Sequence, residues 1–249
     1  VSSTYIYGIT SAEHRALPDG MGGIGDPART VRVLKKGPLA AVVSDAPDDL
    51  RPKRRDLLAH QGVLAEAGGG GPVLPMRFGS LAPDDTAVTT VLAERADHYQ
   101  ERLGALDGKV EYNVKARHDE DAVLHQVMAE NPEVRTATEA NRQAGGGSYE
   151  DRLRLGELVV AAVQAREAED AVELQHLLAP AADAVSAGPE SAGWLANVSF
   201  LVDRRTAENF LASIDDIRHS QPHLDLTVNG PLPPYSFVEP GPSAPAGTQ

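Results

Sequence analysis

The chain has 249 residues, a formal net charge of −13 and no cysteine, and aromatic side chains make up only 4% of it. The acidic balance argues against non-specific binding to nucleic acid or anionic membranes, and the missing cysteines exclude disulfides, thiolate catalysis and cysteine-built zinc sites. No apolar run approaches the roughly 18 residues of a membrane span, and no basic-then-apolar leader opens the sequence, so a soluble intracellular protein is expected. The length predicts two domains of roughly 110–130 residues each.

Residues 5–10, Y-I-Y-G-I-T, are β-branched and aromatic and predict a first strand. Gly20, Gly22 and Gly25 then spell G-x-G-x-x-G. A dinucleotide site needs those glycines directly after a strand and at the opening of a helix, and Asp26-Pro27 follows instead, so a flexible loop is expected. Residues 31–34 and 39–44 predict a hairpin across Lys35-Lys36-Gly37-Pro38. Asp48 or Asp49 is expected to cap a helix with Pro52 in its first turn and Leu57, Leu58, Gln61 and Leu64 along one side. His60 lies beside that stripe and reads as a hydrogen-bonded packing residue. The basic triplet Lys53, Arg54 and Arg55 reads as a solvated face.

Four glycines, Gly68 to Gly71, close that helix and lead into V-L-P-M-R-F-G-S at residues 73–80. As a strand, this stretch turns Leu74, Met76 and Phe78 toward a core and Val73, Pro75 and Arg77 the other way. Pro75 cannot donate to a ladder, which predicts an edge strand or a bulge. Arg77 sits among apolar neighbours and is expected in a buried ion pair. Pro83, Asp84 and Asp85 open a further helix with a stripe of Val88, Val91, Leu92, Arg95, Tyr99, Leu103 and Leu106. Asp107-Gly108 ends an N-terminal α+β domain, residues 1–107.

The second domain, residues 108–229, opens with an alternating strand at 109–117. Asp119, Glu120 and Asp121 start a helix that stops before Pro132, and a polar helical stretch runs to Gly145-Gly146-Gly147, an expected hinge or mobile loop. Ser148 caps a long helix from about Tyr149 to Leu178, and its charged middle, residues 166–170, implies that this helix is partly exposed. Residues 196–205 are apolar on both faces and predict a central strand. The sequon Asn197-Val198-Ser199 falls inside that strand and is discounted. Thr206 caps a helix with Phe210, Leu211, Ile214 and Ile217, and Leu224, Leu226 and Val228 alternate in a last strand. This order suggests a modified ferredoxin-like domain lacking or altering one strand. Residues 230–249 are read as an extended Pro-rich segment that presents Tyr235 and Phe237 as anchors, followed by a disordered tail from Glu239.

No catalytic constellation stands out. The eight histidines are scattered, the acidic pairs lie at helix ends or on polar faces, and no phosphate-binding or nucleophile-elbow motif is present.

Three stretches nevertheless form an ordered set: V-L-P-M-R-F-G at 73–79, W-L-A-N-V-S-F-L-V-D-R at 194–204, and G-P-L-P-P-Y-S-F at 230–237. With Y-I-Y-G-I at 5–9, A-V-V-S at 41–44 and L-L-A-H-Q-G-V-L at 57–64, the chain resembles the gas vesicle protein family GvpF/GvpL over nearly its whole length. Its Ala/Gly/Arg/Asp-rich composition resembles an actinobacterial form, with a leaning to the F member. Leu232 stands where the family usually has a bulkier residue, often Trp. The resemblance implies an N-terminal α+β domain followed by a ferredoxin-like domain. It also implies a non-enzymatic accessory or minor structural protein of the gas vesicle in the cytoplasm, without cofactors. Such a protein is expected to bind the hydrophobic shell subunit GvpA and other accessory gas vesicle proteins and to support nucleation and assembly, with no nucleic-acid or lipid-membrane partner. Pro75, Arg77, Phe78, Gly79, Trp194, Tyr235 and Phe237 are the motif residues expected to bind a partner or hold the structure. The alternative is a small-molecule-binding or catalytic ferredoxin-like protein with an interdomain cleft.

Overall fold

A computed structural model of the chain describes residues 3–239. Backbone contacts gather them into two compact units, one of residues 3–111 together with 231–239, the other of residues 112–230. The fold is mixed α and β, with one sheet in each unit.

In the first unit, β1 (Thr4–Ser11) is the hub. It pairs antiparallel with β3 (Leu39–Asp45), β4 (Val73–Pro75) and β5 (Leu81–Ala82), while β2 (Arg32–Lys36) pairs with β3, giving the order β2-β3-β1-β4. The β1–β3 register shifts between Ile6 and Gly8, so Tyr7 is the extra residue of a bulge. β3 is buried along six of its seven residues, as a strand flanked on both edges should be, whereas β2 turns Lys35 and Lys36 outward and guards the open edge. Gly8 is required by the pairing: a Cβ there would lie 2.9 Å from both the Leu74 carbonyl oxygen and Val73 Cγ2.

The stretch at residues 73–80 is not one strand. It pairs through Pro75, leaves the sheet in a turn closed by the Ser80 N–H and hydroxyl donating to the Arg77 carbonyl, and rejoins β1 as β5. Pro75 sits in an edge strand, as its missing donor requires. The helix α1 (Arg54–Gly70) begins at Lys53 without a side-chain cap, not at Asp48 or Asp49, which lie in the preceding loop. It also runs through Gly68, Gly69 and Gly70, because His14 lies across its last turn. His14 Nε2 reaches the Ala67 carbonyl at 2.8 Å, and a Cβ on Gly70 would meet His14 Cε1 at 2.7 Å. The single helix expected after Pro83 is two, α2 (Asp85–Glu94), capped by Asp84, and α3 (Ala96–Ala105), separated at Arg95.

The second unit holds most of β6 (Lys109–His118), then α4 (Glu120–Glu130), α5 (Pro132–Gln143), α6 (Tyr149–Leu178), β7 (Ala184–Ala187), β8 (Ala196–Asp203), α7 (Ala207–Ser220) and β9 (Leu224–Leu232), with sheet order β7-β8-β6-β9. β7 is the strand that pattern reading misses: four residues, three of intermediate burial and one exposed, carry no alternation signal. Asp119, Asn131 and Ser148 cap α4, α5 and α6, and Ser148 with Asp151 completes a reciprocal capping box. Gly145, Gly146 and Gly147 form a defined turn with positive φ at all three positions, and Gly146 N–H donates to the Asn141 carbonyl at 2.8 Å. Val123, Val127 and Val134 pack against Leu155, Leu158, Val159, Ala162 and Val163 of α6.

The residues after Pro231 do not continue as an extended segment. β9 runs to Leu232, and Tyr235–Phe237 then form a 3-10 turn. The tail expected to be disordered lies, past Glu239, outside the described residues.

Candidate functional site

The first unit is built around an aromatic and hydroxyl cluster. Tyr5 and Tyr7 are both fully buried, with ring centroids 4.9 Å apart; His60 stacks on Tyr7, and Phe78 packs edge-on to Tyr5 and His60. His60 Nε2 faces the Met76 carbonyl at 3.1 Å, which can only accept, so Nε2 carries the proton. His60 Nδ1 is then the acceptor, and the Tyr5 hydroxyl donates to it at 2.8 Å while accepting from the Gly79 N–H at 3.3 Å. Burial pulls the His60 imidazole below its ordinary value, which fits the neutral ring, and raises the Tyr5 phenol well above the usual tyrosine range.

The glycine loop closes the other side of this cluster. Ile24 is fully buried, its N–H donates to the Tyr7 hydroxyl at 2.9 Å, and Gly25 N–H donates to the buried carboxylate of Asp56 at 2.9 Å. A side chain on Gly23 would occupy the space of the Tyr7 hydroxyl. Gly22, Gly23 and Gly25 therefore serve close packing in a hydrogen-bonded loop.

The C-terminal motif belongs to the same unit. Tyr235 packs on the Tyr5 and Tyr7 cluster, and Phe237 is buried at 7% exposure. Desolvation, with the nearby Glu111 carboxylate, pushes the Tyr235 phenol up to about 12. Arg102 of α3 donates Nη2 to the Phe237 carbonyl at 2.7 Å and Nε to the Val238 carbonyl at 3.1 Å.

Six of the seven motif residues thus lie in one unit: Pro75 in β4, Arg77, Phe78 and Gly79 in the loop that passes Tyr5, and Tyr235 and Phe237 in the C-terminal turn. Arg77 is in the same loop but corrects the expectation. It is exposed and, among the described residues, forms no ion pair, because the turn at residues 76–80 carries its side chain out of the sheet. Trp194 lies in the second unit, half-buried, with Lys115 Nζ 5.5 Å and Arg117 Cζ 5.9 Å from its ring centroid. Glu111, Arg102 and Asp56 escape sequence reading, since the partners of each are distant in sequence. The signal available for Glu111 was its place between Val110 and Tyr112 in a strand.

The sequence profile of the family described as "Gas vesicle synthesis protein GvpL/GvpF" matches residues 3–239. The chain belongs to that family. It is 65% identical over 237 residues to Gas vesicle protein F of Streptomyces sp. (strain CB03234), covering 95% of this chain and all of that protein. Gas vesicle protein L of the same strain is 30% identical over 94% of this chain and 92% of its own, and Gas vesicle protein F2 of Halobacterium salinarum 25% identical over 96% and 93%. The fold is that of the crystal structure of the gas vesicle protein GvpF from Anabaena sp. PCC7120, with a TM-score of 0.74 at 24% identity over 97% of this chain and all of the other. That from Microcystis aeruginosa gives 0.70 at 22% over 96% and 100%. The GvpL/GvpF family ties the chain to gas vesicle formation, in association with other gas vesicle proteins. No helix among the described residues is long and apolar enough to cross a membrane.

Proposed function

We propose that the chain is a non-enzymatic accessory or minor structural protein of the gas vesicle, located in the cytoplasm and at the vesicle. In this reading it binds the shell subunit GvpA and other accessory gas vesicle proteins during nucleation and assembly. The observation that carries the reading is the family match along residues 3–239, with 65% identity to a gas vesicle protein F. We read the chain as two domains, residues 1–107 and 108–229, followed by the C-terminal segment. The order β7-β8-β6-β9, which places the first strand of the second domain between its third and fourth, supports a ferredoxin-like topology there.

Within the motif, the residues divide into two groups. Pro75, Phe78, Gly79, Tyr235 and Phe237 hold the first unit together. Arg77 is an exposed cation on a turn of a protein with net charge −13, and Trp194 is a half-buried aromatic flanked by two cations. These two have the chemistry of contact residues. The experiment is co-purification of the shell subunit from gas-vesicle-forming cells with the chain and with Arg77→Glu and Trp194→Ala. Enrichment by the wild type, reduced in variants of unchanged melting temperature, supports the reading. No enrichment over an unrelated acidic protein overturns shell-subunit binding.

A further inference from the structure

The second unit contains a buried polar cluster that stands apart from the motif residues. His118 at the end of β6, Asp170 in α6 and His223 just before β9 converge there. His118 Nε2 lies 2.8 Å and His223 Nε2 2.9 Å from the same oxygen, Asp170 Oδ2, and all three ligand atoms fall within 4.8 Å of one another. The Asp170 side chain is fully enclosed, and the imidazoles are 6% and 5% exposed. Arg166, one turn earlier in α6, donates Nε to the other oxygen, Asp170 Oδ1, at 2.8 Å.

We propose that His118, Asp170 and His223 form a binding site for one divalent transition-metal ion of the zinc class. Two imidazole nitrogens and one carboxylate oxygen are a three-residue donor set that suits zinc, cobalt, nickel or copper and not the oxygen-seeking magnesium or calcium. His118 Nδ1 is buried and has no hydrogen-bond partner. Ligation through Nε2 requires the ring proton on Nδ1, where no acceptor holds it, so this ring lacks the outer partner that usually fixes a ligating histidine. Ligands about 2.0–2.1 Å from a tetrahedral zinc stand roughly 3.3 Å apart, so the present 2.8 and 2.9 Å separations open by about half an ångström on binding. Side-chain rotation supplies that.

Room for a fourth ligand lies alongside. His223 and Arg166 line a cavity of about 330 Å³ with Gln221, whose buried Oε1 has no hydrogen-bond partner. Arg166 opposes the ion, since its Nη2 lies 3.5 Å from His223 Nε2. Its Nη1 stands 3.6 Å from Glu130 Oε2, and its side chain is 23% exposed, so it can turn toward Glu130 while Nε stays on Oδ1. An ion held this way ties the end of β6, the middle of α6 and the start of β9 to one point.

The test uses the untagged 249-residue chain stripped with a chelator. Titration with Co2+ is expected to give the visible bands of a tetrahedral site with a one-to-one end point, displaced by Zn2+. Zn2+ at about 100 times its Kd is expected to raise the melting temperature by about 5–10 °C. His118→Ala and His223→Ala are each expected to abolish the bands, and His125→Ala to leave them. Where a variant does not fold, imidazole nitrogen shifts of the wild type with Zn2+ identify the ligating nitrogens. No bands and no thermal shift overturn the proposal and leave a hydrogen-bonded ion cluster only. Binding retained in both histidine variants, or ligation by other nitrogens, overturns it as well.

Discussion

Ser236 donates to both oxygens of Glu111, through its backbone N–H at 2.8 Å and its hydroxyl at 2.7 Å. The carboxylate is 4% exposed by residue, so two charge-assisted bonds form where water competes poorly. Glu111→Gln keeps the shape but turns an amide N–H2 toward one of two donors. The expected loss is about 1–3 kcal/mol in chemical denaturation, with faster proteolysis after Pro233. An unchanged midpoint and cleavage rate would remove Glu111 as the anchor of the C-terminal turn.

His60 gives a pH dependence of known sign. Its imidazole is held below the ordinary 6.5, chiefly by desolvation, with the Met76 carbonyl pulling the other way. Below about pH 6.5 the unfolded chain therefore binds more protons than the folded one at this position, and stability falls as pH drops, levelling off beneath the folded value. The melting temperature of the wild type should fall more between pH 7 and 5 than that of His60→Gln. Equal slopes would mean that the buried ring does not drive the loss.

Tyr5→Phe leaves His60 Nδ1 and the Gly79 N–H without their shared hydroxyl. About 1–3 kcal/mol of destabilisation is expected, read from urea midpoints. A neutral result would require water or a shifted backbone to fill both bonds.

Two glycines predict opposite signs. Gly8→Ala places a methyl 2.9 Å from a backbone oxygen across the β1–β4 pair and should cost more than about 2 kcal/mol. Gly62 is exposed inside α1 with open space around its Cβ position, so Gly62→Ala should gain about 0.5–1 kcal/mol. Thermal melts of the pair check both signs at once.

Arg77→Ala should leave stability within about 0.5 kcal/mol, since the exposed guanidinium holds no ion pair among the described residues. A larger loss by urea titration would restore the buried-pair expectation.

Much of the second unit was legible because its signals are local. Ser148 with Asp151, the apolar run at Val198 to Val202 and the alternation at Leu224 and Leu226 each act over a few residues, and the elements form where those signals sit. The burial of Asp170 was not legible, for the opposite reason. Its neighbours in sequence are charged, yet on α6 it shares a face with Leu174 and Leu178, four and eight residues on, and all three are buried. The motif residues were found as a set, but their exposure was not. Arg77 and Phe78 are adjacent, and one faces solvent while the other packs on Tyr5.

By itself, the sequence determined the family, the class of the fold and the bounds of the strongly periodic or capped elements, since these rest on residue order and on interactions within a turn or two. Only the tertiary structure decided that one strand pairs with three others, that the residues after Pro231 fold back onto the first unit, and that His118, Asp170 and His223 share an oxygen. Those contacts join residues from about 30 to more than 120 positions apart. Their energies come from desolvation and paired polar groups that exist only once both partners are buried together.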